Sequence, residues 1–247
     1  MASAARVHNV GEARARVTLK ADGTALVETD MTDIGTGTYT ILAQIAGEML
    51  GLDPDKVLVE LGDTRHPRGS GSGGSWGAAS TGSAVYVACT ALREELARRA
   101  GIAEDELDLS NGRTQTGQTL TDLLGGKDMA REGHYEPGDI AADFTASGFG
   151  AFFAQVRVNR FTGETRVDRM LGAFGFGRVL NHKTARSQCI GGITWGIGAA
   201  LTEALEPWPV SRWGGEEFLV LAETPDAAKL AEQVEAAKDA LSERNLK

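Results

Sequence analysis

The spacing of apolar positions changes along the chain and predicts alternating strands and helices. The first apolar runs alternate on both sides of Asp22-Gly23, which predicts a β-hairpin. From near Thr38 the apolar residues recur at helical spacing as far as Gly51, a frequent C-cap residue, so we expect a helix there. Residues 56–61 then predict a short strand, and a second helix follows through residues 84–101.

The second half of the chain mixes the same kinds of element. We expect hairpins around Asn111-Gly112 and Thr162-Gly163, and a glycine-rich helix over residues 182–206. Strands and helices do not follow a strict βαβ rhythm. The pattern therefore predicts an α+β fold with mixed sheets, β-hairpins and packed amphipathic helices.

A break in composition divides the chain towards its C-terminal end. Pro207 and Pro209 cannot continue the preceding helix. The residues beyond them predict a C-terminal hairpin followed by a helix. We therefore predict one domain over residues 6–206 and a partial one over residues 210–247.

Composition narrows the class of partner. The 247 residues are 42% hydrophobic and carry a net charge of −9. They form no basic cluster, which argues against nucleic acid and leaves backbone and hydroxyl groups to hold any phosphate. The N-terminus lacks the apolar region of a signal peptide, and no apolar run is long enough to span a bilayer. We expect no membrane partner and a cytoplasmic location, or a periplasmic one only if an exported partner carries the chain.

Cysteine and histidine residues predict neither a metal site nor a nucleophile. Cys89 and Cys189 lie far apart without ligand spacing, so we expect buried thiols in a reducing compartment. The histidines are scattered through loops and termini, and no Ser/His/Asp set follows from their spacing. We expect all four to be solvated or structural: His8, His66, His134 and His182.

Two glycine-rich stretches precede helices and are the candidate ligand sites. In "DIGTGTYT", Gly35 and Gly37 allow close approach to the backbone, and free N–H groups at the helix start suit anionic oxygens. The alternative is an ordinary turn with a threonine N-cap. The second stretch, "GSGSGGSWGAASTGSA", is either a flexible linker or a folded loop that presents Ser75, Ser80 and backbone amides to phosphates. Together they indicate a large phosphate-bearing cofactor laid across several loops.

Four runs of sequence carry a family resemblance. They are "DIGTGTYTILAQIAGEMLGLDPDKVLVELGDT", "GSGGSWGAASTGSAVYVACTALREEL", "SGFGAFFAQVRVNRFTGETRVDRMLGAF" and "GRVLNHKTARSQCIGGITWGIGAALTEALE". By their order and spacing, residues 6–206 resemble the second molybdenum-cofactor-binding domain of the xanthine dehydrogenase and aldehyde oxidoreductase family. The resemblance implies a molybdenum-pyranopterin dinucleotide cofactor, Mo-molybdopterin, held largely by main-chain and hydroxyl groups. It also implies hydroxylation of an aldehyde or N-heterocycle with oxygen from water.

The resemblance assigns cofactor-binding residues by position. They lie in the two glycine loops and on the last helix: Gly35, Thr36, Gly37, Gly74, Ser75, Trp76, Gly77, Ala78 and Gln188. Thr36 stands where the family often has glutamine, so its contact is altered. The backbone of the second loop would border the pterin and its phosphates. Gln188 matches a glutamine that reaches toward the metal's oxo group, and a helix-capping role is its alternative.

The catalytic base of the family has no counterpart in this sequence. It is a Glu in a GxGExG-like segment beyond the "ALTEALE" helix, and no such segment follows here. The first cofactor domain, expected before residue 6, has no counterpart either. We therefore predict no catalytic residue and expect the chain to be inactive alone. An active enzyme would need the rest of the molybdenum subunit, iron–sulfur and FAD subunits, and a small aldehyde or heterocycle substrate; without these neighbours we expect an exposed apolar face.

The tail resembles a second family. "SRWGGEEFLVL" is similar to the signature of GGDEF-type diguanylate cyclases. By that resemblance Gly214-Gly215 would approach a nucleotide, and Glu216 would bind Mg²⁺ with Glu217 beside it. The earlier metal-binding Asp of a cyclase has no counterpart, so we expect no cyclase activity. A plain hairpin with a solvated acidic turn is the alternative.

Three hypotheses follow from the sequence. The first is a cofactor-domain fragment of a molybdenum hydroxylase with a foreign tail, produced by gene fusion, rearrangement or a mis-joined reading frame. The second is a signalling module whose GGEEF hairpin binds a guanine nucleotide or a partner while the larger part is a scaffold. The third is a fusion product that binds neither ligand.

Overall fold

The computed structural model describes residues 1–139, 144, 146–162, 164–204, 210–214 and 217–220. Backbone contacts divide the chain into two compact units. The large unit comprises Arg6–Gly148 and Phe176–Ala185, and the small unit comprises Met1–Ala5, Phe149–Gly175 and Arg186–Lys247. These units do not coincide with the domains expected from the sequence, 6–206 and 210–247, which stay predictions.

The elements confirm the α+β class. In chain order they are β1 (Ala2–Val7), β2 (Ala13–Leu19), β3 (Ala25–Thr29), α1 (Thr38–Leu50), β4 (Val57–Leu61), α2 (Gly77–Ala100), β5 (Leu109–Ser110), β6 (Arg113–Thr114), α3 (Leu120–Leu124), β7 (Met129–Tyr135), β8 (Ser147–Val158), β9 (Thr165–Gly175), α4 (His182–Ala204), β10 (Val210–Gly214) and β11 (Glu217–Val220). Within the described residues, no helix combines the length and apolar composition that crossing a bilayer requires.

The large unit is built on a four-stranded sheet with the order β4-β3-β2-β7. Strand β2 pairs antiparallel with β3 and with β7, whereas β3 and β4 are parallel. Alternate side chains of β2 and β3 are buried, as the sequence pattern predicts. The hairpin between them is confirmed: Gly23 has a φ of +86°, and the Asp22 carboxylate accepts a hydrogen bond from the Thr24 amide at 2.9 Å.

Helices α1 and α2 pack on this sheet and on each other. The predicted start of α1 at Thr38 is confirmed, and Gly51 ends it in the left-handed conformation. Helix α2 begins at Gly77, ahead of the apolar pattern that starts at residue 84. Its first turns escape that pattern because they consist of small and hydroxyl residues, although Ser80 and Thr81 are fully buried.

The core of the large unit lies between these helices and the sheet. Its largest fully buried side chains include Leu19, Leu42, Leu50, Leu92 and Leu96. Cys89 is also buried, as predicted, and this burial raises the pKa of its thiol to about 12, against the opposing charge of Arg93. The thiol is therefore unreactive. Cys189 is only partly buried, unlike the prediction, because it lies on α4 with no core around it in the described residues.

The small unit contains a three-stranded sheet with the order β1-β8-β9. Strands β8 and β9 pair antiparallel over most of their length, which confirms the long hairpin predicted around Thr162; Gly163 lies outside the described residues. The rings of Phe152 and Phe174 meet edge to face with centroids 5.3 Å apart. Helix α4 confirms the predicted glycine-rich helix over His182–Ala204.

The tail contains an antiparallel hairpin of β10 and β11. Its register joins Val210 to Val220 and Arg212 to Phe218. Gly215, Glu216 and the predicted C-terminal helix lie outside the described residues. The strands of the predicted hairpin are therefore confirmed, and the acidic turn stays a prediction.

Candidate functional site

The two glycine-rich stretches meet in the large unit. The Thr32 hydroxyl donates to the Ser72 hydroxyl oxygen at 2.8 Å, and the Gly69 amide donates to the Asp30 carboxylate at 2.6 Å. The loop that precedes α1 and the loop that precedes α2 are thus tied together by side chains of both. The second stretch is a folded loop, and the flexible-linker interpretation is wrong, because these bonds fix it.

The loop before α1 is organised by an internal carboxylate. Asp33 Oδ1 accepts hydrogen bonds from the amides of Gly35 at 2.8 Å, Thr36 at 2.9 Å and Gly37 at 3.3 Å, and its Oδ2 accepts one from Tyr39 at 3.4 Å. Of the helix-start amides that the sequence predicts to be free for an anion, the Tyr39 amide is therefore already bonded, and so are the loop amides of Gly35, Thr36 and Gly37. Asp33 already fills the positive end of this helix.

The threonine-cap alternative for this loop is also wrong. The N-cap residue is Gly37, which has a φ of +88° and makes no side-chain cap. Thr36 instead has its hydroxyl 3.3 Å from that of buried Thr38. A β-carbon on Gly37 would lie 2.6 Å from Thr184 Cγ2, so the glycine also permits the first turn of α4 to approach α1.

Removal of the Asp33 side chain tests this assignment. We expect Asp33→Ala to destabilise the large unit by about 1 kcal/mol, as for a lost helix cap. Amides 35–39 should then exchange faster with solvent, because their acceptor is gone. Residue-resolved hydrogen exchange and thermal denaturation measure both effects. Asp53→Ala is the matched control, since it removes a comparable cap from a distant 3₁₀ turn and should leave exchange at 35–39 unchanged.

The same carboxylate gives a pH dependence. Burial alone would raise the pKa of Asp33, but hydrogen bonds from the four amides outweigh burial and lower it below its ordinary value. Because the pKa of Asp33 is lower in the folded state, its ionised carboxylate stabilises the fold at pH values above the ordinary carboxyl pKa. This stabilisation is lost as the pH falls through the folded-state pKa. The stability difference between wild type and Asp33→Ala should therefore shrink below about pH 4. A difference that stays constant through that range would contradict the assignment.

The start of α2 has no such internal acceptor. Trp76 is the N-cap residue and makes no side-chain cap, and the first turn contains no acidic residue. Among the described residues, no acceptor is found for the amides of Gly77, Ala78 and Ala79, whereas the Ser80 amide bonds to the Trp76 carbonyl oxygen. These three N–H groups at the end of a 24-residue helix are an open site for an anion.

The loop leading into α2 leaves its backbone accessible. Gly71 and Gly74 have φ values of +76° and +61°, and Ser75, a non-glycine residue, has +62°. Such a conformation at serine costs free energy and is common at ligand-binding sites. A β-carbon on Gly71 would meet no atom within 4 Å. A ligand can therefore lie directly against this backbone.

Two side chains contribute polar groups at the same loop. The indole Nε1–H of Trp76 is buried and finds no acceptor among the residues that the structure describes. A buried donor without a partner is costly, which fits a position completed by a ligand. Arg6, which the sequence pattern did not single out, donates to the Gly74 carbonyl oxygen at 3.4 Å and brings a guanidinium to the loop. Ser80, expected to face a phosphate, instead accepts from the Gly11 amide at 2.9 Å and is fully buried.

Gln188 belongs to a different compact unit from the two glycine loops. It is an exposed residue of α4 within the small unit, whereas both glycine loops belong to the large unit. The structure thus joins the two loops that carry the other eight predicted residues, through Thr32–Ser72 and Asp30–Gly69, and the role of Gln188 stays a prediction.

A comparison with known families fits this site. A family model described as a molybdopterin cofactor-binding domain matches residues 1–207. The chain is 47% identical over 194 residues to the aldehyde oxidoreductase molybdenum-binding subunit PaoC of Escherichia coli (strain K12), covering 77% of this chain and 26% of PaoC. The remaining residues of the tail lie beyond the family match.

Solved structures agree with the fold. Quinoline 2-oxidoreductase from Pseudomonas putida 86 superposes with a TM-score of 0.68 at 21% identity, over 79% of this chain and 29% of its own. Aldehyde oxidoreductase from Desulfovibrio gigas superposes with a TM-score of 0.62 at 27% identity, over 79% and 22%. The chain thus spans between a fifth and a third of the length of these relatives. It belongs to the molybdopterin cofactor-binding domain family.

Proposed function

We propose that the large unit binds the molybdenum-pyranopterin dinucleotide cofactor, with an anionic phosphate group at the start of α2. The observation that carries the proposal is a set of three amides, Gly77, Ala78 and Ala79, for which the described part of the chain offers no acceptor, beside an open glycine loop. The family membership supplies the identity of the anion-bearing ligand. The guanidinium of Arg6 adds positive charge to a chain whose net charge is −9.

The residues of the two loops make different contributions to cofactor binding. Gly74 and Ser75 let the pterin approach the backbone, and the Trp76 indole N–H is available to an acceptor on it. Because Asp33 takes the amides of Gly35, Thr36 and Gly37, these residues contribute the shape of the wall rather than donors to an anion. When bound, the cofactor supplies two-electron redox chemistry and oxygen transfer. The chain's own residues bind and orient it.

We infer that the chain acts as part of a larger oxidoreductase that hydroxylates an aldehyde or an N-heterocycle. The curated relative it resembles is a molybdenum-binding subunit of an aldehyde oxidoreductase, of which this chain covers 26%. The sequence contains no counterpart of the catalytic Glu segment after α4. These residues would be inactive by themselves, and the rest of a molybdenum subunit with iron–sulfur and FAD subunits would complete the enzyme.

Cofactor content tests the proposal. The chain is purified from a host that makes the cofactor, and molybdenum is measured by mass spectrometry and pterin by fluorescence after oxidation. We expect both at close to one per chain. The same preparation from a host unable to make the pterin is the control. Protein free of both molybdenum and pterin in the cofactor-producing host would overturn the proposal.

An apolar surface of the small unit is a candidate contact surface for the rest of a molybdenum subunit. Phe149, Phe153 and Leu171 expose 67%, 44% and 53% of their surface, and Phe153 pairs directly with Leu171 across β8 and β9. A shallow cavity of about 610 Å³ opens between β1, β8 and β9. Large apolar patches on soluble proteins are usually covered by another protein surface. We propose that the rest of a molybdenum subunit covers this one.

This surface predicts self-association of the isolated chain. The double variant Phe153→Ser/Leu171→Ser should shift the chain towards monomer at equal concentration, because it removes the cross-strand apolar pair. Light scattering coupled to gel filtration measures the change. Leu58→Ser is the matched control, since Leu58 is 61% exposed on β4 of the large unit. Wild type that is monomeric at all concentrations would contradict the proposal.

The β10–β11 hairpin favours a second candidate function for the tail. Its strands flank residues 215–216, where the cyclase-like sequence requires a turn, and it lies beyond the family match. We propose that it binds a guanine nucleotide weakly. Binding of GTP in the presence of Mg²⁺ should be lost in Gly214→Ala, and absence of binding by wild type would refute this role.

A further inference from the structure

A second cluster of ligating side chains lies on the sheet of the large unit, outside the glycine loops. Glu28 of β3 and Glu60 of β4 are register partners in the parallel pair, so their carboxylates leave the sheet side by side. His66, in the loop after β4, places its imidazole beside both. Like charges on neighbouring strands destabilise a sheet unless a cation lies between them.

The distances in this cluster suit a shared ion better than a direct bond. His66 Nε2 lies 3.8 Å from Glu28 Oε1 and 3.7 Å from Glu60 Oε2. Both separations exceed the length of a hydrogen bond. Two ligand atoms bound tetrahedrally to one zinc ion at about 2.0–2.1 Å are separated by about 3.4 Å. Small side-chain movements would therefore bring all three groups, whose ligand atoms lie within 4.8 Å of one another, onto one ion.

Burial and charge also favour a cation here. The exposed side-chain fractions are 11% for His66, 16% for Glu28 and 49% for Glu60, which leaves one open side for water. Arg16 lies 3.9 Å from Glu28 but is shared with Glu132. Arg65 interacts electrostatically with Glu60, but its guanidinium donates hydrogen bonds to both carboxylate oxygens of Asp63. The two carboxylates are thus incompletely compensated by the neighbouring side chains.

Protonation of His66 is the alternative source of positive charge. Its Nδ1 is buried and has no hydrogen-bond partner within the described ranges of the chain. An imidazolium and an imidazole bound to a metal through Nε2 both carry a proton on Nδ1. Both forms therefore leave this buried N–H group without an acceptor. A single imidazolium charge compensates one carboxylate, whereas a divalent ion compensates both Glu28 and Glu60.

We propose that Glu28, Glu60 and His66 form a binding site for Zn²⁺ or a similar divalent transition metal. One imidazole nitrogen, two carboxylate oxygens and a water on the open side complete a tetrahedral set. Mg²⁺ and Ca²⁺ prefer oxygen ligands alone and bind more weakly. The ion would hold the edge strand β4 to β3 at this point of the sheet.

A similar cluster in the same unit provides the matched control. In the cluster of Glu12, His134 and Glu136, the His134 Nε2 is already hydrogen-bonded to Glu12 at 2.7 Å. The guanidinium of Arg14 lies 3.4 Å from its Nδ1 and repels a cation. His134 and both carboxylates are also more exposed than His66. This cluster contains the same residue types and should not bind a metal.

Zinc titration of the whole 247-residue chain, stripped with a chelator, tests the site. Competition with a coloured zinc indicator gives affinity and number of ions, and Co²⁺ reports the ligands by its visible absorption. We expect one Zn²⁺ per chain in wild type and in His134→Asn. His66→Asn and Glu60→Gln should each weaken binding at least tenfold. Glu60 is half-exposed, so Glu60→Gln should fold even if His66→Asn does not.

Three results would overturn the site. The first is wild type that takes no zinc from the indicator. The second is a folded Glu60→Gln that binds as tightly as wild type. The third is a thiolate-to-cobalt absorption band, which would place the ion on Cys189. Because zinc binding is read without molybdenum or pterin, failure here leaves the proposed cofactor function untouched.

Discussion

Replacement of Ala78 by Asp is expected to lower the cofactor content of the chain more than tenfold without lowering its stability. Ala78 is an exposed residue in the first turn of α2, where no described residue accepts a hydrogen bond from the amides of residues 77–79. A carboxylate there stabilises the helix end by about 0.3–1 kcal/mol, since it compensates the helix dipole. It also competes with a phosphate for the same donors and repels it. Loss of binding with unchanged or raised stability is a result that damage to the fold does not produce.

Ala78→Asn is the matched control for this prediction. It has nearly the same size and shape as Asp but adds no charge, so it should keep most of the molybdenum and pterin. Both variants and wild type are compared by metal content and by thermal denaturation in the same buffer. If Asp and Asn lower the cofactor content equally, steric blocking explains the loss, and the phosphate does not lie at this helix end. If Asp retains the cofactor, the proposed position is wrong.

The largest effect on stability is expected for Gly133→Ala. Gly133 lies in the middle of β7, and a β-carbon there would collide with the Ala84 carbonyl oxygen and lie 2.5 Å from the Ala88 amide nitrogen. Both partners are backbone atoms inside α2, so they cannot rotate away. The helix and the strand must separate, which should cost about 3 kcal/mol. Chemical denaturation of the variant and of wild type measures the loss in the free energy of unfolding.

Ala130→Ser on the same strand controls for this substitution. Ala130 is exposed, so the added oxygen meets solvent and should change the free energy of unfolding by less than about 0.5 kcal/mol. Equal stability of Gly133→Ala and wild type would show that α2 does not approach β7 as closely as described.

The fold could be predicted from the sequence wherever apolar spacing was regular. The β2–β3 hairpin follows from apolar alternation on both sides of the Asp22-Gly23 turn. Helix α1 follows from apolar residues at helical spacing that end at the Gly51 cap. Strand β7 could not be predicted, because its core-facing centre is Gly133, which carries no apolar side chain. Its contact with α2 depends on the absence of a side chain, and hydrophobic periodicity does not detect that.

The positions of the two glycine loops follow from the sequence, but the electrostatics of the loops do not. Both glycine loops have the form that favours anions, and sequence alone made them equivalent. The structure separates them because Asp33 folds back onto the amides before α1, while no carboxylate of the described residues is bonded to the amides that open α2. An Asp two residues before a glycine is a signal for such a turn. Arg6 gave no local signal, since its contact with Gly74 spans 68 residues.

The most direct test compares the backbone amides of the two helix starts in the cofactor-loaded and cofactor-free chain. Residue-resolved hydrogen exchange measures each amide under identical conditions. We expect strong protection at Gly77, Ala78 and Ala79 on loading, and little change at Gly35 and Gly37, which Asp33 already binds. Protection at Gly35 and Gly37 with none at the start of α2 would contradict this expectation.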